Sequence, residues 1–410
     1  MATVSQKLDE ILHGLAFEKI EGASPRNESD PLLARLKALG TEVWIDTGEL
    51  EKAQEIWKDE LTALTTNNTL ANQVVQSGIM DQVIEDTIQK INQEGLDLSA
   101  EEMTLEVGFV INCKVALRLV QAFKVKVSVE LHPAVSRSIE RTLHFGRRYY
   151  KVCPEYFTVK VPLTPEGYLA VRTLRQEGVP INFTLGFSVR QNYLAARLGN
   201  PDFVNVFLGR LNQVVMDHKA GTGELVGEKV TLATQRALRS ARENHKEVGS
   251  RLIAASIRSG EQVAFLAGLD VLTIPPKAMK EFQESGKSSM VSHIDDSIEP
   301  GIDPQHSLAK RFSELWELSD EFKNFVDALV ARSDLDSMQG KELDEIAQSV
   351  NLFHPFSKDD LQKIQDHGKI PNLDSWPESV ALDDLMTQSA LQSFTKDQNA
   401  LDERIRSFLK

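Results

Sequence analysis

The feature that most constrains this chain is a rhythm of eight short apolar runs, each separated from the next by sequence of helical character. The runs are VWID (43–46), LTALTT (61–66), KVKVSVE (124–130), YFTVKV (156–161), INFTL (181–185), FVNVF (203–207), RLIAAS (251–256) and VLTI (271–274). Short strands alternating with helices call for parallel pairing through crossover connections. Two architectures satisfy that demand, a doubly wound open sheet and a closed (β/α)8 TIM barrel. The count of eight and the shortness of the strands favour the barrel.

One repeat shows how the unit is written. In YFTVKVPLTPEG, Phe157, Val159 and Val161 share one face of an extended strand, while Tyr156, Thr158 and Lys160 share the other. Pro162 stops the strand. Thr164, Pro165 and Glu166 then supply an N-cap, a first helical residue and a first-turn acid, and the helix predicted over PEGYLAVRTLRQEG ends at Gly178. Lys160 therefore stands at the carboxyl end of a strand, where a barrel collects its chemistry. An isolated lysine at such a place reads more readily as an edge-strand surface residue, so its neighbours must decide.

Around this unit the chain divides into an N-terminal helical segment (1–40), a barrel (41–290) and a helical extension (291–410). The first contains the polar stretch GASPRNESD. The extension follows a polar loop and carries amphipathic patterns over 306–333 and 383–409 and a weaker one near 357–366. It is expected to pack on the barrel, with a homodimer surface as one use for it.

Composition limits the partners. A formal net charge of −14 argues against a broad nucleic-acid surface, and no apolar run reaches the roughly 20 residues of a membrane span. The N-terminal MATVSQKLDEILHG mixes acids and bases unlike a secretory signal, so a cytoplasmic location is expected. There Cys113 and Cys153 are read as free thiols. The sequons at Asn27, Asn67 and Asn182 lose their glycosylation meaning, which leaves two of these asparagines to be explained by the site.

The strand ends can be read together. Lys126, Ser128 and Glu130 oppose Val125, Val127 and Val129. Asn182 and Thr184 oppose Ile181, Phe183 and Leu185. VWID ends in Asp46 and LTALTTN in Asn67, and Ser256 and Arg258 oppose Ile253, Ala255 and Ile257. Six strands are thus expected to finish in polar groups of one parity. Singly, Asp46 and Asn67 read as helix caps, Glu130 as a surface acid and Arg258 as a solvated base. Jointly they suit amine catalysis. A lysine near its reference pKa of about 10.4 is only ~0.04% neutral at pH 7, and a downward shift of about three units would leave roughly a quarter neutral. Burial and a nearby Arg258 act in that direction, and a neutral amine can attack a ketone to form a Schiff base.

These residues resemble the transaldolase family of Schiff-base enzymes of the non-oxidative pentose phosphate pathway. The resemblance runs from about 40 to 285 and resumes in SALQSFTKDQNALDERIRSFL. It rests on WIDTGE (44–49), TTNNTL (65–70), VSVEL (127–131), FTVKVPLTPEG, NFTLGFS (182–188), FLGR (207–210) and AASIRSGEQVAFLAGLDVLTI (254–274). It implies Lys160 as the Schiff-base lysine and Asp46 as the acid/base at the donor's C4 hydroxyl. Glu130 and Thr184 would hold the water of imine formation and hydrolysis. Asn67 and Asn182 would hold the dihydroxyacetone hydroxyls, and Arg210, Ser256 and Arg258 the sugar phosphate.

No metal or organic cofactor is implied; the partners are sugar phosphates. The sequence departs from the family pattern at Asn68, His132 and Asn205, which are expected to alter shape and hydrogen bonding near the site. The rival on the same scaffold is a fructose 6-phosphate aldolase, against which Phe207 argues, since it stands where such relatives tend to carry a tyrosine. The rival from another class is a non-catalytic sugar-phosphate binder.

Overall fold

Eight parallel strands close on themselves in chain order: β1 Glu42–Asp46, β2 Leu61–Thr65, β3 Lys126–Glu130, β4 Phe157–Pro162, β5 Ile181–Thr184, β6 Phe203–Phe207, β7 Arg251–Ala255 and β8 Val271–Ile274. The ring is sealed where β1 pairs β8, with Val43 opposite Leu272. The computed structural model describes residues 2–22, 29–287 and 289–409, with side chains from residue 6 onward. Residues 23–28, within the GASPRNESD stretch and including Asn27 of the first sequon, lie outside the described residues.

Period-two alternation decides what each strand face meets. Ile45, Val129, Val159, Val161 and Phe183 are buried on the outer face against the surrounding helices. Inside, Trp44 meets Phe203 edge to face at 4.7 Å between ring centroids. The Arg251 guanidinium lies 5.8 Å from the Phe203 ring centroid and pairs with Glu42 at 2.7 Å, closing the amino-terminal end of the barrel. Polar groups are left for the other end.

The turns from strand to helix use one device repeatedly. Thr164 caps helix Pro165–Gln176 by accepting from the Gly167 N–H, and Ser188 and Ser259 cap Val189–Leu198 and Gly260–Phe265 through the Gln191 and Gln262 N–H groups. Asn67 does the same for Asn68–Gln76, accepting from Leu70 at 2.9 Å. The cap reading of Asn67 therefore holds alongside its place at the barrel mouth.

Among the described residues of the extension every regular element is helical. The helix expected over 306–333 is split into Ala309–Ser313 and Asp320–Val330. Between them the Leu315 carbonyl accepts from the Val189 N–H at 2.9 Å, and Ser319 caps the second piece. A carbonyl taken by the barrel cannot continue a helix ladder. Gly340–Ala347 was not marked by the apolar pattern; a Gln339/Glu342 capping box starts it. The predicted stretches near 357–366 and 383–409 appear as Lys358–His367 and Leu382–Arg406.

Helix Leu382–Arg406 lies against helices Asn68–Gln76 and Ala100–Phe123 and reaches His132 and Leu185, just beyond β3 and β5. Asp383 forms a two-pronged pair with Arg190, both contacts 2.7 Å, and also accepts from the Ser188 hydroxyl at 2.6 Å. Farther along, Asn68 Nδ2 donates to Gln398 Oε1 at 2.9 Å, and Gln398 Nε2 donates to Asp402 Oδ1 at 2.8 Å. His132 Nδ1 accepts from the Ala134 N–H, so its ring hydrogen is on Nε2 and goes to Asp402 at 3.2 Å.

Two of the departures from the family pattern are thereby relocated. Asn68 and His132 are not part of the cavity lining; they fasten this helix. Asn68→Ala leaves buried Gln398 Oε1 without its donor, so a loss of about 1–3 kcal/mol is expected in chemical denaturation. An unchanged midpoint and slope would remove the fastening role. No described helix is long and apolar enough to cross a membrane, and Cys113 and Cys153 are both buried and unbonded to each other.

Candidate active site

Lys160 is buried on the inner face of β4, only 4% exposed, which rules out the surface-lysine reading. Register explains its company: Glu130 of β3 and Asn182 of β5 are its direct neighbours across the ladder. Lys160 Nζ lies 3.1 Å from Glu130 Oε2 and donates to the Thr66 carbonyl at 3.2 Å. Glu130 Oε2 has this ion contact but no aligned hydrogen bond, so a buried lone pair is left for another partner.

Three strands from Lys160, Asp46 closes β1. Thr65 Oγ1 donates to Asp46 Oδ1 at 2.7 Å and lies 2.7 Å from Thr273 Oγ1. Having given its only hydrogen to Asp46, Thr65 must accept from Thr273, so β2 and β8 jointly orient the carboxylate. Thr65 and Thr273 are cavity-lining residues that the sequence reading passed over, although both stand at positions whose side chains face the barrel interior.

Asn205 of β6 begins a second, separate chain of hydrogen bonds beside Lys160. Its Nδ2 donates to Asn182 Oδ1 at 3.1 Å, and Asn182 Nδ2 donates to Ser128 Oγ at 3.2 Å. Asn205 Oδ1 accepts from the Leu185 N–H at 3.1 Å, where the chain leaves β5 in a left-handed turn with φ 72°. Thr184 lies 3.5 Å from the same oxygen. Asn205 thus holds the end of β5 as well as the asparagine beside the lysine.

These side chains surround a cavity of about 150 Å³ at the carboxyl ends of the strands. Asp46, Asn67, Lys160 and Asn182 line its inner part, and Phe207, Arg210, Ser256 and Arg258 line the remainder. Thr184 and Glu130 are brought to the same end but stand behind the lining, Glu130 against the Lys160 ammonium. Phe207 packs its ring against Phe187 at 5.8 Å.

One part of the parity argument fails. Register aligns Arg251, Ile253 and Ala255 with the inward residues Phe203, Asn205 and Phe207, so the inward parity of β7 is the apolar one. Ser256 and Arg258 reach the cavity because the strand stops at Ala255 and Ser256 adopts φ 63°, which redirects the chain. Gly209 makes room for that turn: a Cβ there would lie 2.2 Å from the Ser256 carbonyl oxygen and 2.7 Å from Arg258 Nε.

The electrostatics follow from burial. The Asp46 and Glu130 carboxyls are both pushed up by desolvation, against the opposing pull of Lys160 on each. Arg210 is pushed down to about 10 by burial and by neighbouring Arg258, which is itself lowered by burial. Two carboxyls that hold protons more readily than in water suit proton transfer. Two arginines crowded together at the cavity suit a phosphate.

The extension completes the lining. Phe394 of helix Leu382–Arg406 reaches the cavity and lies 5.7 Å from the Arg210 guanidinium, and Lys369 lines the cavity next to it. Phe394 lies within SALQSFTKDQNALDERIRSFL, where the resemblance resumes, though nothing there singles it out, and Lys369 carries no local signal. Asp397 meets the Thr69 hydroxyl on the same side.

Fold and site together define a (β/α)8-barrel protein whose polar centre is built around a buried lysine at the carboxyl ends of its strands. Residues 43–333 match the family described as transaldolase/fructose-6-phosphate aldolase, and the chain belongs to that family. It is similar to a probable transaldolase of Parvibaculum lavamentivorans, 37% identical over 137 residues, which are 33% of this chain and 56% of the relative. A probable transaldolase of Hyphomonas neptunium is 36% identical over 150 residues, 36% of this chain and 58% of the relative. For the two bacterial relatives the match thus spans less than two thirds of their own length. A probable transaldolase of Dictyostelium discoideum is 26% identical over 269 residues, 62% of this chain and 81% of the relative.

Proposed function

We propose that the protein is a transaldolase, moving a dihydroxyacetone unit from a ketose phosphate such as fructose 6-phosphate to an aldose phosphate through a Schiff base on Lys160. The observation that carries this reading is the buried Lys160–Glu130 pair, 3.1 Å apart, whose lysine faces a cavity that also presents Asp46 and two arginines. Passing a proton from Lys160 to Glu130 frees the amine to attack C2 of the ketose. Loss of water from the carbinolamine then gives the iminium. Asp46 takes the proton of the C4 hydroxyl as the C3–C4 bond breaks, the aldose phosphate leaves, and the enamine carbon remains on the lysine for the acceptor. Asn67 and Asn182 suit the hydroxyls of the retained unit, and Arg210, Ser256 and Arg258 the phosphate.

Borohydride reduction in the presence of fructose 6-phosphate should leave a stable adduct on the peptide containing Lys160. An adduct elsewhere, or none, removes the Schiff-base reading and restores the non-catalytic sugar-phosphate binder. The aldolase alternative, release of dihydroxyacetone to water, is disfavoured by Phe207, whose ring has no hydroxyl to orient an attacking water and packs on Phe187. Assays with and without an aldose acceptor separate the two, with turnover expected to depend on the acceptor.

Gly209→Ala tests the phosphate end. The added methyl must displace the Ser256 carbonyl or Arg258, and a displacement of about 1 Å at a substrate clamp can cost roughly 10²-fold. A fall of that order in kcat/KM for fructose 6-phosphate is expected; wild-type kinetics would show that the close approach is not needed.

A further inference from the structure

We propose that Lys369 is a specificity-determining residue whose ammonium completes, with Arg210 and Arg258, a three-cation seat for the phosphate of the substrate. The inference rests on the sugar-phosphate reading above and adds to it a residue from beyond the span that matches the family, 43–333.

Position is the first argument. The cavity that contains Lys160 adjoins a larger hollow of about 1050 Å³, and Arg210, Arg258 and Lys369 are the cations that line both. A phosphate held at the junction meets all three. The larger hollow is also lined by Glu224, Glu228 and Glu261, so the three cations at the junction are where an anion would be held.

The second argument is that the lysine's backbone is fixed while its side chain is left available. Arg210 Nη1 donates to the Lys369 carbonyl at 3.2 Å, Ser389 Oγ to the Gly368 carbonyl at 3.0 Å, and the Leu373 N–H to His218 Nε2 at 2.8 Å. Gly368 allows the turn with φ 89°. Lys363, nearby in the same extension, donates its ammonium to the Ser375 carbonyl at 2.6 Å. The exposed Lys369 side chain has no carboxylate partner among the described residues. Its structural duty is thus done by the main chain, and the ammonium is free for a ligand.

Charge balance is the third argument. One N–H of Arg210 is already committed to the Lys369 carbonyl, which reduces what that guanidinium can offer an anion. A phosphate monoester carries about −1.5 to −2 charge near pH 7. A rim lysine makes good the difference as a mobile point charge, able to follow phosphates on chains of different length.

Calorimetric titration with inorganic phosphate tests this without catalysis, using the full chain and Lys369→Met, Lys369→Arg and Lys358→Met. Lys358 is an exposed lysine of the same extension and serves as the charge control. Lys369→Met should weaken phosphate binding about tenfold, Lys369→Arg should recover it to within roughly threefold, and Lys358→Met should match the wild type. In steady-state assays Lys369→Met should raise KM for fructose 6-phosphate about tenfold with kcat changed by less than about twofold. Unchanged phosphate affinity in Lys369→Met, or an equal loss in Lys358→Met, overturns the proposal. Because the phosphate titration does not involve the lysine imine, failure of borohydride trapping at Lys160 would overturn the Schiff-base reading separately.

Discussion

Lys160→Met is expected to abolish the borohydride-trapped adduct and to lower kcat by at least about 10⁴-fold with fructose 6-phosphate as donor. Methionine keeps the length and apolar stem of the side chain and removes the nucleophile, so packing on β4 should survive while the covalent step cannot begin. Glu130 is then left buried without its cation. Removing one partner of a buried pair commonly costs about 3–5 kcal/mol. Here the cost should be smaller at low pH, because burial already raises the Glu130 carboxyl and protonation removes the orphan charge. The variant should therefore fold, most robustly in mild acid. Turnover within tenfold of the wild type, or an adduct of wild-type yield, would refute the role of Lys160.

Asp46→Asn should separate two steps that the lysine variant stops together. Loss of a positioned acid/base costs typically 10²–10⁴ in rate, so kcat should fall by that range, yet the imine on Lys160 should still be trapped because Asp46 acts after it forms. Stability should move the other way. The Asp46 pKa is raised in the folded state, since desolvation outweighs the attraction of Lys160 and the Thr65 hydrogen bond. Below the unfolded value near 3.9 the carboxyl is protonated in both states and its contribution to stability is complete. As pH rises through the raised folded pKa, the buried carboxylate must ionise and that contribution is lost. Asparagine never ionises, so Asp46→Asn should be more stable than the wild type at pH 8, with the advantage vanishing toward pH 4. Denaturation curves at both values check this; no gain at pH 8 contradicts the desolvation argument. Loss of trapping together with turnover would show that Asp46 is needed before the carbon–carbon bond breaks.

Much of this site could be read from the chain because an extended strand converts sequence parity directly into side-chain direction. The rule worked for Asp46, Glu130, Lys160, Asn182 and Thr184, which lie within regular strands, and for the eight strands themselves, whose ends were anticipated to within two residues. It broke at β7 for a physical reason: parity counts only while the backbone stays extended, and the left-handed Ser256 resets it just before Arg258. Proximity across long stretches of chain is invisible to periodicity altogether. Arg210 touches Lys369 across 159 residues and Asn68 touches Gln398 across 330. The same blindness explains why His132 and Asn68 looked like changes beside the substrate, when their partners are on helix Leu382–Arg406.

That helix has a consequence for how the protein becomes active. The groups proposed for chemistry come from strands paired with their immediate neighbours in sequence, whereas the rim formed by Phe394 waits for a segment some 330 residues from its docking partner on the helix that follows the second strand. Contacts so remote in sequence form late, because the entropy of closing the intervening chain must be met before they contribute. A folding molecule should then pass through a stage with its lysine and carboxylates already assembled but its mouth unroofed, open to bulk water and to ketoses lacking a phosphate. Maturation would consist of closing that mouth, and selectivity would be acquired after reactivity.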